Sequence, residues 1–525
     1  MTRLAEEGAA RVHFDAALRA SLVVTGIVLT AFMDAVASTA LSIGRIDMLG
    51  DIYATPDELA LADIVFIAAK MTAFLAAPLF VVAAGPLACL RAGAVMLLLA
   101  SAAMTFSADL TWIYLCRILQ GIAGGTILVA GQTLLFLRFA YRRQPVIQAI
   151  FAIGAVMAPA TLTPALQGWL VDHLTWDWIF LCNLPLGIAS LALLAADADR
   201  TERRRLELPA FEIALLGISA ALLTYVLQQG SRFNWLDDAG IAVLGPVGIV
   251  AAGALVIWEV RSGPENSLRL STPFVSPDFR FGILVSLVAG FALSGSAYLI
   301  PAFALGVLDF TATGAGALLL PSGAMLALAL LLAGLGIEKT GANPIVLVPF
   351  GILFFASAMW LLSGSASSSG APDLIVPLLL RGVGLGCLFV ALTLVTLRGL
   401  PAHAVVFGVG LFNLGKQAGG LFGTAFLQTY IDHQSVLNRT VLSSHLTGGD
   451  PALGQRLKAT ADLLASNGMD GAAAIKAALP VLQRALDKQA AAIAFNEAFF
   501  ALVLLFAVAA PCLVLAKRLI GHAAR

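Results

Sequence analysis

The sequence predicts an all-α polytopic membrane protein, and three observations predict it. Hydrophobic side chains make up 60% of the 525 residues and charged ones only 12%, with a mean hydropathy of +0.93, a balance too apolar for a soluble globule. About fourteen apolar segments are long enough to cross a ~30 Å hydrocarbon core as helices. One of them carries a charge in mid-membrane, Arg117, followed by glycines, and the pattern returns around Arg381.

Composition also limits the function. The net charge is zero, so no excess of either sign points to a nucleic-acid partner. Cys89, Cys116, Cys182, Cys387 and Cys512 lie inside apolar segments without a C-x-x-C or a histidine partner, and read as small buried hydrophobes instead of metal or redox groups. No cofactor motif survives its context. Gly410 to Lys416 has the spacing of a phosphate loop, but Gln417 follows and no strand precedes it. With no nucleotide site, any transport by this chain would have to be driven by an ion gradient or run downhill.

Taken in order, residues 1–20 form a polar N-terminal segment without a signal-peptide apolar region, so the first span is expected to stay in the mature chain. The predicted spans are 21–44, 61–84, 88–107, 111–137, 145–170, 178–196, 210–229, 239–260, 280–305, 312–337, 343–363, 372–397, 401–430 and 492–517. Cations concentrate in every second connection, at Arg91, Arg138, Arg142, Arg143, Arg200, Arg203 to Arg205, Arg261, Arg280, Lys339 and Arg398. The short opposite connections hold only Arg45 and Arg232, and the cations of the long 431–490 segment count little because long loops translocate largely regardless of charge. The positive-inside rule therefore puts both termini in the cytoplasm. The 431–490 segment becomes one long periplasmic loop, Ala-rich with breakers at Gly448 to Pro451 and at Asn467-Gly468, expected to form short amphipathic helices over the outer mouth.

The chain repeats itself. Leu379-Leu-Arg381-Gly382-Val-Gly384-Leu-Gly386 on the twelfth span echoes Cys116-Arg117-Ile-Leu-Gln120-Gly121-Ile-Ala-Gly124-Gly125 on the fourth. Residues 21–196 and 280–525 read as two related six-helix halves, with two spans and their flanking cytoplasmic loops inserted at 197–279. Duplicated halves are a common carrier plan, with substrate bound near the midplane between them.

An arginine at the centre of a span costs about 2.5–3.5 kcal/mol on the translocon scale, so Arg117 needs a partner or a wet cavity. Counting 1.5 Å per residue, Asp34 and Arg117 reach a similar depth, about 10 Å below the outer face, and are expected to pair. Lys70 lies at the same depth and reads either as a rival for Asp34 or as a lysine snorkelling to an interface. Glu497 is either a second proton site or a wet, inert acid. Lys416 reads as a packing residue. Asp63, Asp309, Asp373 and Asp432 sit at span edges and are expected to be solvated.

Several motifs then resemble one family. Gly154-Ala-Val-Met-Ala-Pro159-Ala-Thr-Leu-Thr-Pro164-Ala-Leu-Gln-Gly168 resembles the antiporter signature, with Gly154, Pro159, Pro164 and Gly168 as its structural positions. Trp176-Asp-Trp178, Phe32-Met-Asp34, Gly316 to Pro321, Leu411 to Gly420 and Ala494-Phe-Asn496-Glu497 match in order along the chain. The family is the fourteen-span drug/proton antiporter branch of the major facilitator superfamily, of EmrB/QacA type. The resemblance implies a major facilitator fold in the inner membrane and multidrug efflux of hydrophobic or amphiphilic compounds in exchange for protons. It implies proton coupling through Asp34, Arg117 and Glu497, and a cavity between spans 1, 4, 9 and 12 with Asp34, Arg117, Gln120, Tyr298 and Arg381 as polar points. In a two-membrane bacterium it further implies a periplasmic adaptor and an outer-membrane channel as partners. Two departures stand out. The family's acidic and polybasic first inner loop is reduced to Gly85-Pro86-Leu-Ala-Cys-Leu-Arg91, so the usual charge lock between halves must be weakened or replaced. Lys70 is an added cation. The alternatives are a dedicated exporter of one metabolite, siderophore or lipid-like molecule, and a non-transporting membrane sensor or scaffold that has kept the fold.

Overall fold

The computed structural model describes residues 2–43, 45–106, 109–197, 209–261, 268–444 and 451–523. Arg200 and Arg203 to Arg205, the Gly448 to Asp450 breaker, and the side chains of Arg45 and of the first seventeen residues lie outside this description. Every regular element among the described residues is helical.

Thirteen helices among the described residues have the length and apolarity to cross a membrane. They are span 1 (Leu18–Ser42), span 2 (Pro56–Ala84), span 3 (Pro86–Phe106), span 4 (Leu110–Arg138), span 5 (Tyr141–His173), span 6 (Asp177–Leu194) and the inserted spans 7 (Ala210–Gln229) and 8 (Ala239–Arg261). Span 9 (Pro277–Gly306), span 10 (Ala312–Thr340), span 11 (Pro344–Leu362), span 12 (Ala371–Leu397) and span 14 (Gly471–Leu519) follow. Span 13 belongs to the helix Ala402–Ser444. It has ample length but a more polar sequence, because it runs between other helices with Val405 to Asn413 buried and faces less lipid than its neighbours.

Local chemistry sets several boundaries. Thr55 caps span 2 in a reciprocal arrangement, its hydroxyl accepting from the Glu58 N–H while Glu58 accepts from the Thr55 N–H. Asp109 caps span 4 by accepting from the Trp112 N–H at 3.1 Å. Between spans 2 and 3 the chain turns on Gly85 at φ 90°, a left-handed conformation that favours glycine.

Two large cores result. One draws Phe303, Leu326, Phe355, Leu385 and Phe499 from spans 9–14, with Val156 of span 5. The other joins Ile27, Phe74, Leu90 and Ile127 of spans 1–4 to Phe407 and Leu411 of span 13. Spans 7 and 8 pack on each other, and span 7 packs on span 2. Their buried acids do structural work that the sequence reading overlooked. Glu212 and Glu259 both accept from the Leu268 N–H, and Glu259 also from the Leu270 N–H at 2.6 Å, which fixes the chain as it enters span 9.

Two expectations need correction. The 431–490 segment is not made of separate short helices alone. Span 13 continues without a break to Ser444, and span 14 begins at Gly471 within a helix that runs to Ala523. The helix Pro451–Ser466 packs on the first turns of the span 14 helix through Ala461, Ala474 and Ala478. Arg439 pairs with Asp487 at 2.9 Å, tying the two extensions together. Alanine-rich sequence favours such continuation. Nor does span 5 simply bend at its prolines: residues Ile153–Leu162 form a wide π-helical stretch around Pro159. Proline cannot donate to the helix ladder, and a π turn absorbs the missing bond.

Candidate functional site

The charges of spans 1, 2 and 4 meet, but in a different pairing from the one depth alone suggested. Lys70 Nζ donates to both carboxylate oxygens of Asp34 at 2.7 Å, and both side chains are only 5% exposed. Arg117, fully buried, turns to Asp63, its Nη2 donating to Oδ1 at 3.1 Å. It also donates to the carbonyls of Ala37 at 2.7 Å and Ala62 at 3.3 Å, and to Gln120 at 3.1 Å. Asp63 is therefore a site residue, not a solvated edge acid, and it further accepts from Gln228 of span 7.

Helical spacing explains the pairing. Asp63, Phe66 and Lys70 stand three and seven apart on one face of span 2; Arg117, Gly121 and Gly124 stand four and seven apart on the facing side of span 4. A methyl on Gly124 would fall on Asp34 Oδ1 itself; one on Gly121 would collide with the Phe66 carbonyl, and one on Gly125 would come within 2.8 Å of the Lys70 carbonyl. The glycines let spans 2 and 4 approach closely enough for Lys70 to reach across to span 1. Between the cations lies the Phe66 ring, 4.1 Å from the Arg117 guanidinium and 5.4 Å from Lys70 Nζ.

Other expected positions take different places. Gln120 does not line a cavity: it bridges Arg117 to Ser101 of span 3, donating at 3.3 Å. Arg381 is fully buried, with Nε donating to Ser296 at 2.9 Å and Nη1 to Ser322 at 3.0 Å. Its Nη2 has no hydrogen-bond partner among the described residues. Tyr298, on the same helix as Ser296, packs against the core of spans 9–14. Glu497 accepts from Gln434 Nε2 at 2.8 Å, where spans 13 and 14 leave the bundle, apart from the Asp34 pair. Lys416 is the residue that the sequence reading underrated. From span 13, in the other half, it interacts electrostatically with both Lys70 and Asp34.

Span 5 packs within its own half at Gly154 and against the other half at Gly168 and Pro164. A methyl on Gly154 would come within 2.7 Å of the Val28 carbonyl of span 1; one on Gly168 would come within 2.5 Å of the Ala312 carbonyl, where span 10 begins. Pro164 lends its carbonyl to the same contact, 2.8 Å from where a Gly316 methyl would sit.

The reduced first inner loop is replaced by other ties at the cation-rich end. Arg91 donates to the carbonyl oxygens of Leu194 and Asp197, at 2.5 and 2.7 Å, and Arg138 pairs with the Asp197 carboxylate. These act within one half. Across the halves, Arg398 stacks on the Tyr141 ring at 3.6 Å and donates to its carbonyl at 2.8 Å. Asn413 of span 13 donates to Gln132 of span 4 at 3.0 Å.

A family model described as Major Facilitator Superfamily matches residues 23–424. The chain belongs to that superfamily. Among its relatives, the Multidrug export protein EmrB of Haemophilus influenzae is 28% identical over 345 residues, 65% of this chain and 67% of that protein. The Colistin resistance protein EmrB of Acinetobacter baumannii is 26% identical over 77% of this chain and 78% of its own length. The Fatty acid resistance protein FarB of Neisseria gonorrhoeae is 25% identical, covering 78% of each chain. Among solved structures, the human organic anion transporter MFSD10 shares the fold, with a TM-score of 0.55 at 14% identity over 93% of this chain and 99% of that one. As a superfamily member the chain is a multi-pass membrane transporter, and the Asp34–Lys70 pair lies buried where its first, second and fourth spans meet.

Proposed function

We propose that the protein exports hydrophobic or amphiphilic compounds from the cytoplasm in exchange for protons, by rocking its two halves about the membrane midplane, and that Asp34 carries the coupled proton. The observation that carries this reading is the buried Asp34–Lys70 pair. A carboxylate held by a lysine in a site that excludes water stays charged while the lysine is there, and takes up a proton once the lysine moves away. Lys416 gives the opposite half a cation able to draw on the same carboxylate, so rocking changes which charges Asp34 meets. Names of relatives support the substrate range, since they refer to multidrug export and to resistance. The distribution of cations supports an inner membrane with both termini in the cytoplasm. In a two-membrane envelope, the helical extension of spans 13 and 14 is the outer surface that a periplasmic adaptor leading to an outer-membrane channel would meet.

A second reading narrows the substrate. Among the described residues, Lys70 and Arg117 pair with the carboxylates Asp34 and Asp63, which leaves Lys416 and Arg381 as cations beyond that balance, and Arg381 Nη2 has no hydrogen-bond partner there. That surplus favours weakly acidic amphiphiles, and FarB is named for fatty-acid resistance.

The test is proteoliposome transport under an imposed pH gradient. Asp34→Asn should abolish gradient-driven uptake while leaving substrate binding intact; uptake that survives unchanged rejects Asp34 as the proton carrier. A protein that binds substrate but moves none in wild-type form would instead be a sensor.

A further inference from the structure

We infer that the half formed by spans 9–14 holds an anionic diacyl glycerophospholipid in a crevice on its outer side, at the cation-rich end of the bundle. The crevice lies between spans 9, 11, 12 and 14 and encloses about 910 Å³. Its walls are apolar, with Val285, Ile352, Leu392 and Phe506 among them, and its only ionisable lining residues are Lys517 and Arg518. Both are cations on the last turns of span 14, and no acid lines the space. Lys517 Nζ stands 5.7 Å from the centre of the Phe281 ring, over the mouth.

Length and charge select the occupant. The span 14 wall runs from Val503 to Arg518, about 22 Å at 1.5 Å per residue, which covers the ~15 Å half-thickness of the hydrocarbon core and the headgroup zone beyond it. An acyl chain fits such a wall, and a headgroup phosphate then sits level with the two cations. Basic pockets between membrane helices at this level recognise anionic headgroups. A zwitterionic lipid would present its own cation to the same pair and gain less.

The other half shows that the crevice is a feature of this one. There, Arg91 on span 3 reaches across and donates to the Leu194 and Asp197 carbonyls at the end of span 6. The related span 11 begins Pro344-Ile-Val-Leu-Val-Pro-Phe350 with no cation in the place of Arg91. Here the space between the corresponding spans is apolar, with Lys517 and Arg518 at its rim. Asp34, Lys70 and Arg117 do not line the crevice, so its occupant is not the compound that those charges would serve.

The experiment is native mass spectrometry of the full-length protein, purified in detergent and titrated with equal phosphatidylglycerol and phosphatidylcholine. Phosphatidylglycerol should be retained preferentially. Lys517→Gln and Arg518→Gln should each lower that preference about fivefold, while Lys517→Arg keeps it. Ala510→Trp, which fills the crevice, should reduce retention of both lipids. Brominated phosphatidylglycerol in nanodiscs provides a second readout, quenching a tryptophan placed at Val514 in folded, monodisperse protein. Equal retention of the two lipids by the wild type overturns the inference. So does a preference unmoved by both glutamine variants, which would place the lipid elsewhere, or retention of detergent or amphiphilic drug in place of either lipid.

Discussion

Arg117 and Arg381 occupy related places in the two halves, and both are fully buried, yet they are held by different chemistry. Arg117 is neutralised by Asp63, two carbonyls and the Phe66 ring. Arg381 is held by two serine hydroxyls, and its Nη2 has no hydrogen-bond partner among the described residues. The half built from spans 1–6 therefore contains two carboxylate–cation pairs, with the Phe66 ring between their cations. Its counterpart contains a lone cation on a polar but neutral seat. The charge pairs belong to one copy of the framework, and the other offers a cation, Lys416, that bears on them from across the interface; on the proposed function, proton chemistry is the work of the first copy alone.

The largest expected effect comes from breaking the Asp34–Lys70 pair from one side. Lys70→Met leaves a buried carboxylate without its partner, and removing one member of such a pair costs about 3–5 kcal/mol. The loss should appear as a clear fall in the thermal unfolding midpoint in detergent. The double variant Asp34→Asn/Lys70→Met should recover most of that stability without recovering gradient-driven transport. If Lys70→Met alone is as stable as wild type, the pair is not the centre of this half.

Gly124→Ala places a methyl where Asp34 Oδ1 now lies. Overpacking of this kind costs about 1–3 kcal/mol, and here it should also impair coupling, since the pair must separate to admit the methyl. Gly253→Ala, with open space around it, is the control and should behave as wild type in the same gradient-driven transport assay.

The seats of the two arginines can be compared directly. Removal of the Arg117 carboxylate by Asp63→Asn should cost more than removal of one Arg381 hydroxyl by Ser322→Ala, for which about 1–3 kcal/mol is expected from loss of a hydrogen bond to a charged group. Paired denaturation curves measure the difference; the reverse order would mean that the two halves are not specialised as described.

Arg398→Gln should have a smaller effect, about 0.5–1 kcal/mol from the lost stacking on Tyr141, read as faster reaction of a cysteine at the cation-rich end with a maleimide. The smallest belongs to Arg439→Gln. Its pair with Asp487 is half exposed, so the unfolding midpoint should hardly move.

How much of this was legible in the sequence varies by level. Span positions and their alternation came from composition, because crossing a bilayer needs a minimum run of apolar residues. Lys70 was visible as a competitor for Asp34 because depth is a simple count along a helix. Depth carries no azimuth, however, and Arg117 at the same depth was the equally available partner. Asp63 was set aside because it lies near a span end. Its seven-residue separation from Lys70, matched by that of Arg117 and Gly124, was the signal that would have placed both charge pairs on one interface. Lys416 could not be foreseen, because its proximity to Asp34 depends on how the two halves meet.

The sequence by itself determined the class, the number and order of the spans, the duplication and the set of expensive charges. Each of those follows from local quantities: run length, hydropathy and spacing. Only the tertiary structure decided the pairing, since helix rotation and close approach at Gly121, Gly124 and Gly125 arise from contacts between segments far apart in the chain. It also decided what stands in for the missing loop lock. The Arg398–Tyr141 contact joins residues 257 positions apart, and no local pattern encodes a meeting at that distance.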